Sequence, residues 1–347
     1  MRILIVKLSS IGDVVHTLPA AATLRRAFPD AHIAWAVERR ASAILKDSPI
    51  IDELIEVDSR AWRSHWHNRG TLTDLTSTLR SLRGSISGGA PETFDVAVDF
   101  QGLIKSGLLA FASRSPRRIG FETGELREGA SRLFLTEQVE TSQLKHVIDK
   151  NLALAHRILA DYSRHTQDGS FAGEDATRDK VGAEDRTHNY EFPISVTSYD
   201  EEFAEQAVGG WKSPFAIINP GGGWSTKLWA PARYGQVADW LNRECGMKAI
   251  VTYGPGEEPL AHLVASTSRC GGVTPLASTL KQFVALARRA ELFIGGDTGP
   301  LHLAAACGTP IVGIYGPTAP ERNGPFDPRD VTVGRDLWCR ADCHRRS

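Results

Sequence analysis

Leu292-Phe293-Ile294-Gly295-Gly296-Asp297-Thr298-Gly299-Pro300-Leu301-His302-Leu303-Ala304-Ala305 reads as an apolar strand, a turn of small residues and the start of a helix. Apolar runs of this kind mark strands buried on both faces, as in a parallel sheet covered by helices. Pro300 suits the first helical turn, where a missing amide hydrogen leaves nothing unpaired. The same order recurs on either side. Residues 215–218 (FAII) run into Asn219-Pro220-Gly221-Gly222-Gly223, residues 249–253 (AIVTY) into Gly254-Pro255-Gly256, and residues 311–315 (IVGIY) into Gly316-Pro317-Thr318. Four strands that end in Gly-bearing loops predict an α/β domain with a ligand rim at the strands' carboxyl ends.

The amino-terminal half repeats the plan. Residues 3–6 (ILIV) predict a buried strand and Lys7-Leu8-Ser9-Ser10-Ile11-Gly12 a loop. A helix follows, with Val14, Leu18, Ala21 and Leu24 on one face and Pro29 ending it. Residues 33–37, 54–57 and 96–100 predict further strands. The alternation is that of a doubly wound unit. It disappears near Tyr162 and restarts after Tyr190, across a polar, Gly-containing stretch. The expected division is a first domain at 1–165, a linker at 166–190 and a second domain at 191–347.

A length of 347 residues suits two domains, and 41% hydrophobic residues suffice for two cores. A net charge of −1 argues against bulk binding of nucleic acid, so any anion site is local. No run is long enough for a signal peptide core or a membrane span. Cys245, Cys270 and Cys307 are scattered and read as small core residues or inert thiols. Cys339, Cys343 and His344 stand together in a basic tail, but a metal site wants four good ligands and the expectation is no metal. Nothing suggests a disulfide framework, so a reducing compartment is expected.

Several residues carry chemistry. The amides at the helix start near Gly299 suit a phosphate, with Asp297 and Thr298 before them and His302 one turn on. Capping is the plainer role for Asp297 or Thr298 alone. In residues 219–229 (NPGGGWSTKLW), the glycines permit close approach, Ser225 and Thr226 offer hydroxyls and Lys227 a compact cation. Lys227 precedes a helix expected to begin near Pro231, where a cation opposes the dipole unless an anion sits between them. Glu257, or equally Glu258, stands where a carboxylate accepts ribose hydroxyls. Neither a GxGxxG after the first strand nor a GxxxxGK[ST] motif occurs, which argues against dinucleotide oxidoreductases and P-loop enzymes.

In the first half, Ser10 and Asp13 fit the S-x-x-D pattern of a capping box. Asp13 is equally placed to act as a general base, and the residues alone leave both readings open. His16 lies one turn on. Arg60, Trp62, Arg63, His65, Trp66 and His67 form a basic and aromatic cluster, with Lys105, Arg127 and His146 later. The set suits an acidic, amphipathic acceptor. Arg60 and Arg63 taken alone read more simply as a solvated helix face.

These stretches, with residues 1–20 (MRILIVKLSSIGDVVHTLPA), 58–66 (DSRAWRSHW), 96–107 (VAVDFQGLIKSG), 253–258 (YGPGEE) and 294–318 (IGGDTGPLHLAAACGTPIVGIYGPT), resemble the ADP-heptose:lipopolysaccharide heptosyltransferases, and their Kdo-directed type I branch in particular. The likeness extends from residue 1 to about residue 330. It implies a GT-B fold, two Rossmann-like doubly wound domains facing across a cleft. It also implies an inverting, metal-independent transfer of heptose from ADP-L-glycero-D-manno-heptose to Kdo-lipid A of the inner core. The enzyme would be cytoplasmic and peripheral to the inner membrane, with no cofactor. Asp13 would be the base. Thr226, Lys227, Asp297, Thr298, Gly299 and His302 would hold the diphosphate, with Lys227 assisting departure, and Glu257 the ribose. Lys7, Ser10, Arg60, Arg63, Lys105, Arg127 and His146 would face the donor heptose or the acceptor. The polar stretch before Tyr190 is longer than the family's, and the family commonly continues into helices beyond the point where this sequence stops at Ser347. The alternatives are a sibling glycosyltransferase with another nucleotide sugar or acceptor, and a nucleotide-sugar epimerase or hydrolase.

Overall fold

The computed structural model describes residues 1–64, 68–83, 86–87, 90–91, 93–165 and 190–334. The chain divides into two compact units, Met1–Ile194 and Ser195–Ser347. The first contains β1 (Arg2–Val6), β2 (His32–Glu38), β3 (Glu53–Val57), β4 (Ile86–Ser87), β5 (Ala90–Pro91), β6 (Val96–Asp99), β7 (Arg117–Phe121) and β8 (Glu137–Val139). Six of these form one parallel sheet in the order β3-β2-β1-β6-β7-β8, and β4 and β5 pair separately. The second contains β9 (Phe215–Asn219), β10 (Lys248–Tyr253), β11 (Val273–Ala277), β12 (Leu292–Gly296), β13 (Ile311–Tyr315) and β14 (Val331–Gly334). Its sheet is also parallel, in the order β11-β10-β9-β12-β13-β14.

Counted within each sheet, both orders are 3-2-1-4-5-6, the doubly wound plan. The direction of winding reverses between β1 and β6 in one unit and between β9 and β12 in the other. Loops leaving those neighbouring strands diverge to opposite faces and open a crevice there. The central strands earn their place by composition. Ile3, Leu4, Ile5 and Val6 are fully buried, as are Ala216, Ile217 and Ile218. Trp35 is wholly enclosed, and its indole N–H donates to the Lys7 carbonyl at 3.2 Å, which satisfies the one polar atom that it carries inside.

The helix expected after β1 is two helices, Ile11–Val15 and Leu18–Ala27. Pro19 lies in the first turn of the second, where its ring is tolerated; inside one continuous helix it would remove a hydrogen bond and clash with the preceding turn. The helix Pro231–Cys245 starts at the proline expected and ends at Gly246, whose φ of 64° is the left-handed stop that glycine takes without strain. Thr279 and Gln282 cap the helix Leu280–Ala287 reciprocally. The expected linker at 166–190 lies outside the described residues except for Tyr190, whose hydroxyl donates to Asp149 at 2.7 Å in the first unit. Cys339, Cys343 and His344 lie outside them too. Cys245 and Cys270 are exposed rather than in a core, and Cys307 is half-buried, its thiol pushed up to about 11 by burial. Among the described residues no helix is long and apolar enough to cross a membrane.

Candidate active site

Each unit gathers its chemistry where the winding of its sheet reverses. In the first, Lys7 follows β1 and is buried. Its ammonium donates to the Phe100 carbonyl at 2.6 Å, beyond the end of β6. The Gln101 side-chain oxygen accepts the Leu8 and Ser9 amides at 3.1 and 3.2 Å, which ties the two loops together. Asp13 stands on the short helix Ile11–Val15. Its Oδ2 accepts the Ser10 amide at 2.8 Å and the Ser10 hydroxyl at 3.0 Å. Its Oδ1 accepts Arg127 Nη2 at 3.0 Å and lies 4.0 Å from Lys7 Nζ.

The capping contact occupies one oxygen of Asp13, which fixes the carboxylate to the helix start, and leaves the other to the cations. Burial pushes its carboxyl up, but Lys7, Arg127, the Ser10 amide and His16 outweigh that and hold it well below the usual carboxylate range. Lys7, Ser10 and Arg127 thus assemble around Asp13, and His146 meets the buried His16 edge to face at 5.9 Å between ring centroids.

Lys105 lies in a second group. It donates to Glu38 Oε1 at 3.1 Å and to the Ser59 hydroxyl at 3.3 Å, and Ser59 also donates to Glu38. Arg60, next in the chain, is exposed. Trp62 does not offer a free face with its polar atom turned out: its indole N–H donates to Asp74 at 2.9 Å and its ring packs on the core. The Arg63 side chain and residues His65, Trp66 and His67 lie outside the described residues.

In the second unit, the turn Ser225–Lys227 lies across the ends of β12 and β13. A Cβ on Gly296 would stand 3.4 Å from the Lys227 carbonyl and one on Gly316 would stand 3.3 Å from the Thr226 carbonyl, so both glycines admit the turn. Lys227 donates to Asp297 Oδ2 at 2.6 Å and to the Asp297 carbonyl at 3.0 Å, and its ammonium lies 4.7 Å from the centroid of the Trp224 ring. The anion that its position demanded is thus supplied by the chain. Asp297 Oδ1 meets His302 Nε2 at 3.1 Å and accepts Asn323 Nδ2 at 2.8 Å. Burial pushes the Asp297 carboxyl up, but His302 and Lys227 hold it well below the usual range.

Asp297 was expected to face a diphosphate. Both of its oxygens are occupied, and they hold Lys227 and His302 in place. The hydroxyl of Thr298 is buried and has no hydrogen-bond partner among the described residues. Thr298 precedes the helix Gly299–Ala306, whose opening amides face along its axis.

Glu257 and Glu258, equal on sequence, separate here. Glu257 accepts the Gly222 amide at 3.1 Å and the Gly254 amide at 3.0 Å, bridging two of the Gly-bearing loops. Each oxygen keeps capacity for a further donor. Glu258 is exposed and pairs at 3.6 Å with His262 one turn on. Asn219 makes a similar bridge, donating to the Thr252 carbonyl at 3.0 Å. Sequence reading missed Gln101, Glu38, Asn219 and Asn323 as site residues. Their signal was a polar side chain at or near a buried strand's end. Among the described residues no three His, Cys, Asp or Glu side chains converge as a metal site would require.

Residues 90–347 match the model of glycosyltransferase family 9 (heptosyltransferase). Lipopolysaccharide heptosyltransferase 1 of Pseudomonas aeruginosa is 26% identical over 352 aligned positions, covering 100% of this chain and 87% of that protein. The protein of the same name from Salmonella typhimurium is 27% identical, with 94% and 92% covered. Among solved structures, E. coli heptosyltransferase WaaC with ADP aligns with a TM-score of 0.74 at 23% identity, covering 97% of this chain and 94% of that one. A family 9 glycosyl transferase from Veillonella parvula aligns at 0.73 and 21% identity, covering 96% and 86%. The fold class is accordingly GT-B, built of two Rossmann-like units.

Proposed function

This chain belongs to glycosyltransferase family 9, the heptosyltransferases, and from that premise we propose that it moves heptose from ADP-L-glycero-D-manno-heptose to the Kdo sugar of Kdo-lipid A. Relatives named for the first heptosyltransferase of lipopolysaccharide align over nearly the whole chain and support this acceptor. The WaaC structure with an ADP-2-deoxy-2-fluoro heptose, at 0.73, supports the choice of donor. The observation that carries the reading is the Asp13 carboxylate, anchored through Oδ2 and set through Oδ1 against two cations.

In the reaction, an acceptor hydroxyl attacks the anomeric carbon and its proton passes to Asp13 Oδ1. The bond from that carbon to the diphosphate oxygen breaks, and the anomeric centre inverts. Arg127 suits an acceptor that carries carboxylate or phosphate, while the buried Lys7 holds Asp13 in place. When Arg127 turns from Asp13 to such a group, the carboxylate loses a stabilising charge and becomes a stronger base. Negative charge grows on the departing ADP. Lys227 and the amides after Thr298 meet that charge, so the step needs no metal ion. Glu257 accepts the ribose hydroxyls. The enzyme works in the cytoplasm, at the membrane surface where a lipid-borne acceptor resides.

Release of ADP is the direct test, run with ADP-heptose and with or without Kdo-lipid A. Acceptor-dependent release that survives EDTA is the expected outcome. Equal consumption of the nucleotide sugar without acceptor would make the protein a hydrolase or epimerase and end this reading.

A further inference from the structure

The helix Ile104–Ala112 is apolar on both faces. Its inner side buries Leu109 and Ala110. Its outer side carries Ile104, Leu108 and Phe111, spaced to share one face, and they are 39%, 47% and 55% exposed. The turn Gly129–Phe134 packs along this helix. A Cβ on Gly107 would meet the Phe134 ring at 2.8 Å, and the rings of Phe111 and Phe134 lie 6.0 Å apart. That turn presents Leu133, which is 75% exposed.

Cations fringe the patch. Residues 103–118 contain Lys105, Arg114, Arg117 and Arg118 and no acidic residue. Arg117 turns inward to Glu137 and Asp161. Arg118 lies 5.6 Å from the Phe111 ring centroid, fixed by the Phe134 and Ser115 carbonyls, so its charge stays at the edge of the apolar face. Arg114 and Arg132 are exposed. Glu128 is the neighbouring acid, and it accepts the Ile104 amide.

We propose that this face is the surface by which the protein docks on an anionic lipid bilayer. Large apolar side chains that project from a short helix and are ringed by arginine suit insertion at a headgroup boundary, with the cations at the phosphates. A second copy fits worse, because a two-fold contact would set the same arginines against one another. The helix also begins near the Asp13 group, since a Cβ on Gly102, two residues before it, would stand 3.4 Å from the amide of Arg127. The proposal builds on the reading of a lipid-borne acceptor, but its test does not pass through sugar transfer.

Co-sedimentation of the full chain with phosphatidylcholine vesicles, with and without phosphatidylglycerol, tests it. The expected result is partition to the phosphatidylglycerol vesicles, weakened by salt. A Leu108→Glu, Phe111→Glu, Leu133→Glu variant would lose about tenfold or more of that partition, from three apolar contacts withdrawn. An unchanged circular dichroism spectrum and melting midpoint, and unchanged transfer to a deacylated, water-soluble acceptor, would show the variant to be folded. Equal sedimentation of variant and parent, a parent indifferent to both vesicle types, or a parent dimer abolished in the variant would each overturn it. A chain that sediments as expected yet transfers no sugar would refute the proposed reaction and leave the docking surface standing.

Discussion

The two units share a strand order and set a lysine and an aspartate at the same kind of place, but they bury opposite partners. In the first, Lys7 is 3% exposed and Asp13 is 13% exposed. In the second, Asp297 is 5% exposed and Lys227 is 15% exposed. A buried ammonium holds a more accessible carboxylate in one; a buried carboxylate holds a more accessible ammonium in the other. The enclosed charge is costly alone and is stabilised by its partner and by hydrogen bonds from the chain. The outer charge inherits a fixed position and is the one available to a ligand. One fold thus leaves a carboxylate as the more accessible charge in one unit and an ammonium in the other.

The sharpest way to break that contrast is to neutralise each outer group. Asp13→Asn should lower turnover roughly 10²-fold or more, as removal of a general base does, with the fold kept because the amide oxygen can still accept from Ser10. Full turnover in a folded Asp13→Asn protein would assign Asp13 to capping alone. Lys227→Ala should cost roughly 10²-fold in kcat, comparable to losing one donor that meets transition-state charge. It should also cost about 3 kcal/mol of stability, because Asp297 remains buried with a partner gone. If kcat holds and only the melting midpoint falls, the lysine is structural.

A smaller effect is expected from Gly221→Ala. The added carbon would stand 2.3 Å from Glu257 Oε1, and relief requires the carboxylate to leave the Gly222 and Gly254 amides. Overpacking of this kind costs about 1–3 kcal/mol, and ADP affinity measured by calorimetry should fall with it. Unaltered ADP binding would separate Glu257 from the nucleotide.

The smallest effect separates the carboxylates by sign. Burial pushes Asp99, at the end of β6, up to about 6 despite hydrogen bonds from Gln101, Ser106 and Gly102. Its folded value exceeds the unfolded one, so the folded chain binds that proton more tightly and stability falls as pH rises from about 4 through 6. Asp13 and Asp297 act the other way. Held low in the fold, they contribute stability above about pH 4 that is lost as pH falls further. Asp99→Asn should flatten the decline measured by urea titration across that window. Asp330, also pushed up to about 6, would retain part of it. A slope unchanged in Asp99→Asn would show that its proton is not held as described.

What was legible in the sequence follows from burial. Strands enclosed on both faces, such as β1, β6, β9 and β12, announce themselves as apolar runs. Towards the sheet edges β2, β3, β10 and β13 still do, but β7, β8, β11 and β14 do not. β8 is Glu-Gln-Val, β14 is exposed throughout, β11 contains Pro275, and β7 begins with Arg117 and Arg118, whose side chains leave the sheet to bind Glu137 and the Phe134 carbonyl. Asp13, Lys227 and Glu257 were visible because special local residues surround them. Arg127 was legible only as one of a basic set, since nothing local ties it to a carboxylate 114 positions away. The inward turn of Asp297 could not be read either, because it depends on Asn323, beyond the next strand.

The bridge from Glu257 to two loops has an evolutionary corollary. Positions 221 and 257 form a lock in which a bulkier residue at the first evicts the carboxylate at the second. Drift to anything larger at 221 therefore demands a simultaneous change at 257, whereas a smaller side chain at 257 would leave position 221 freer to vary.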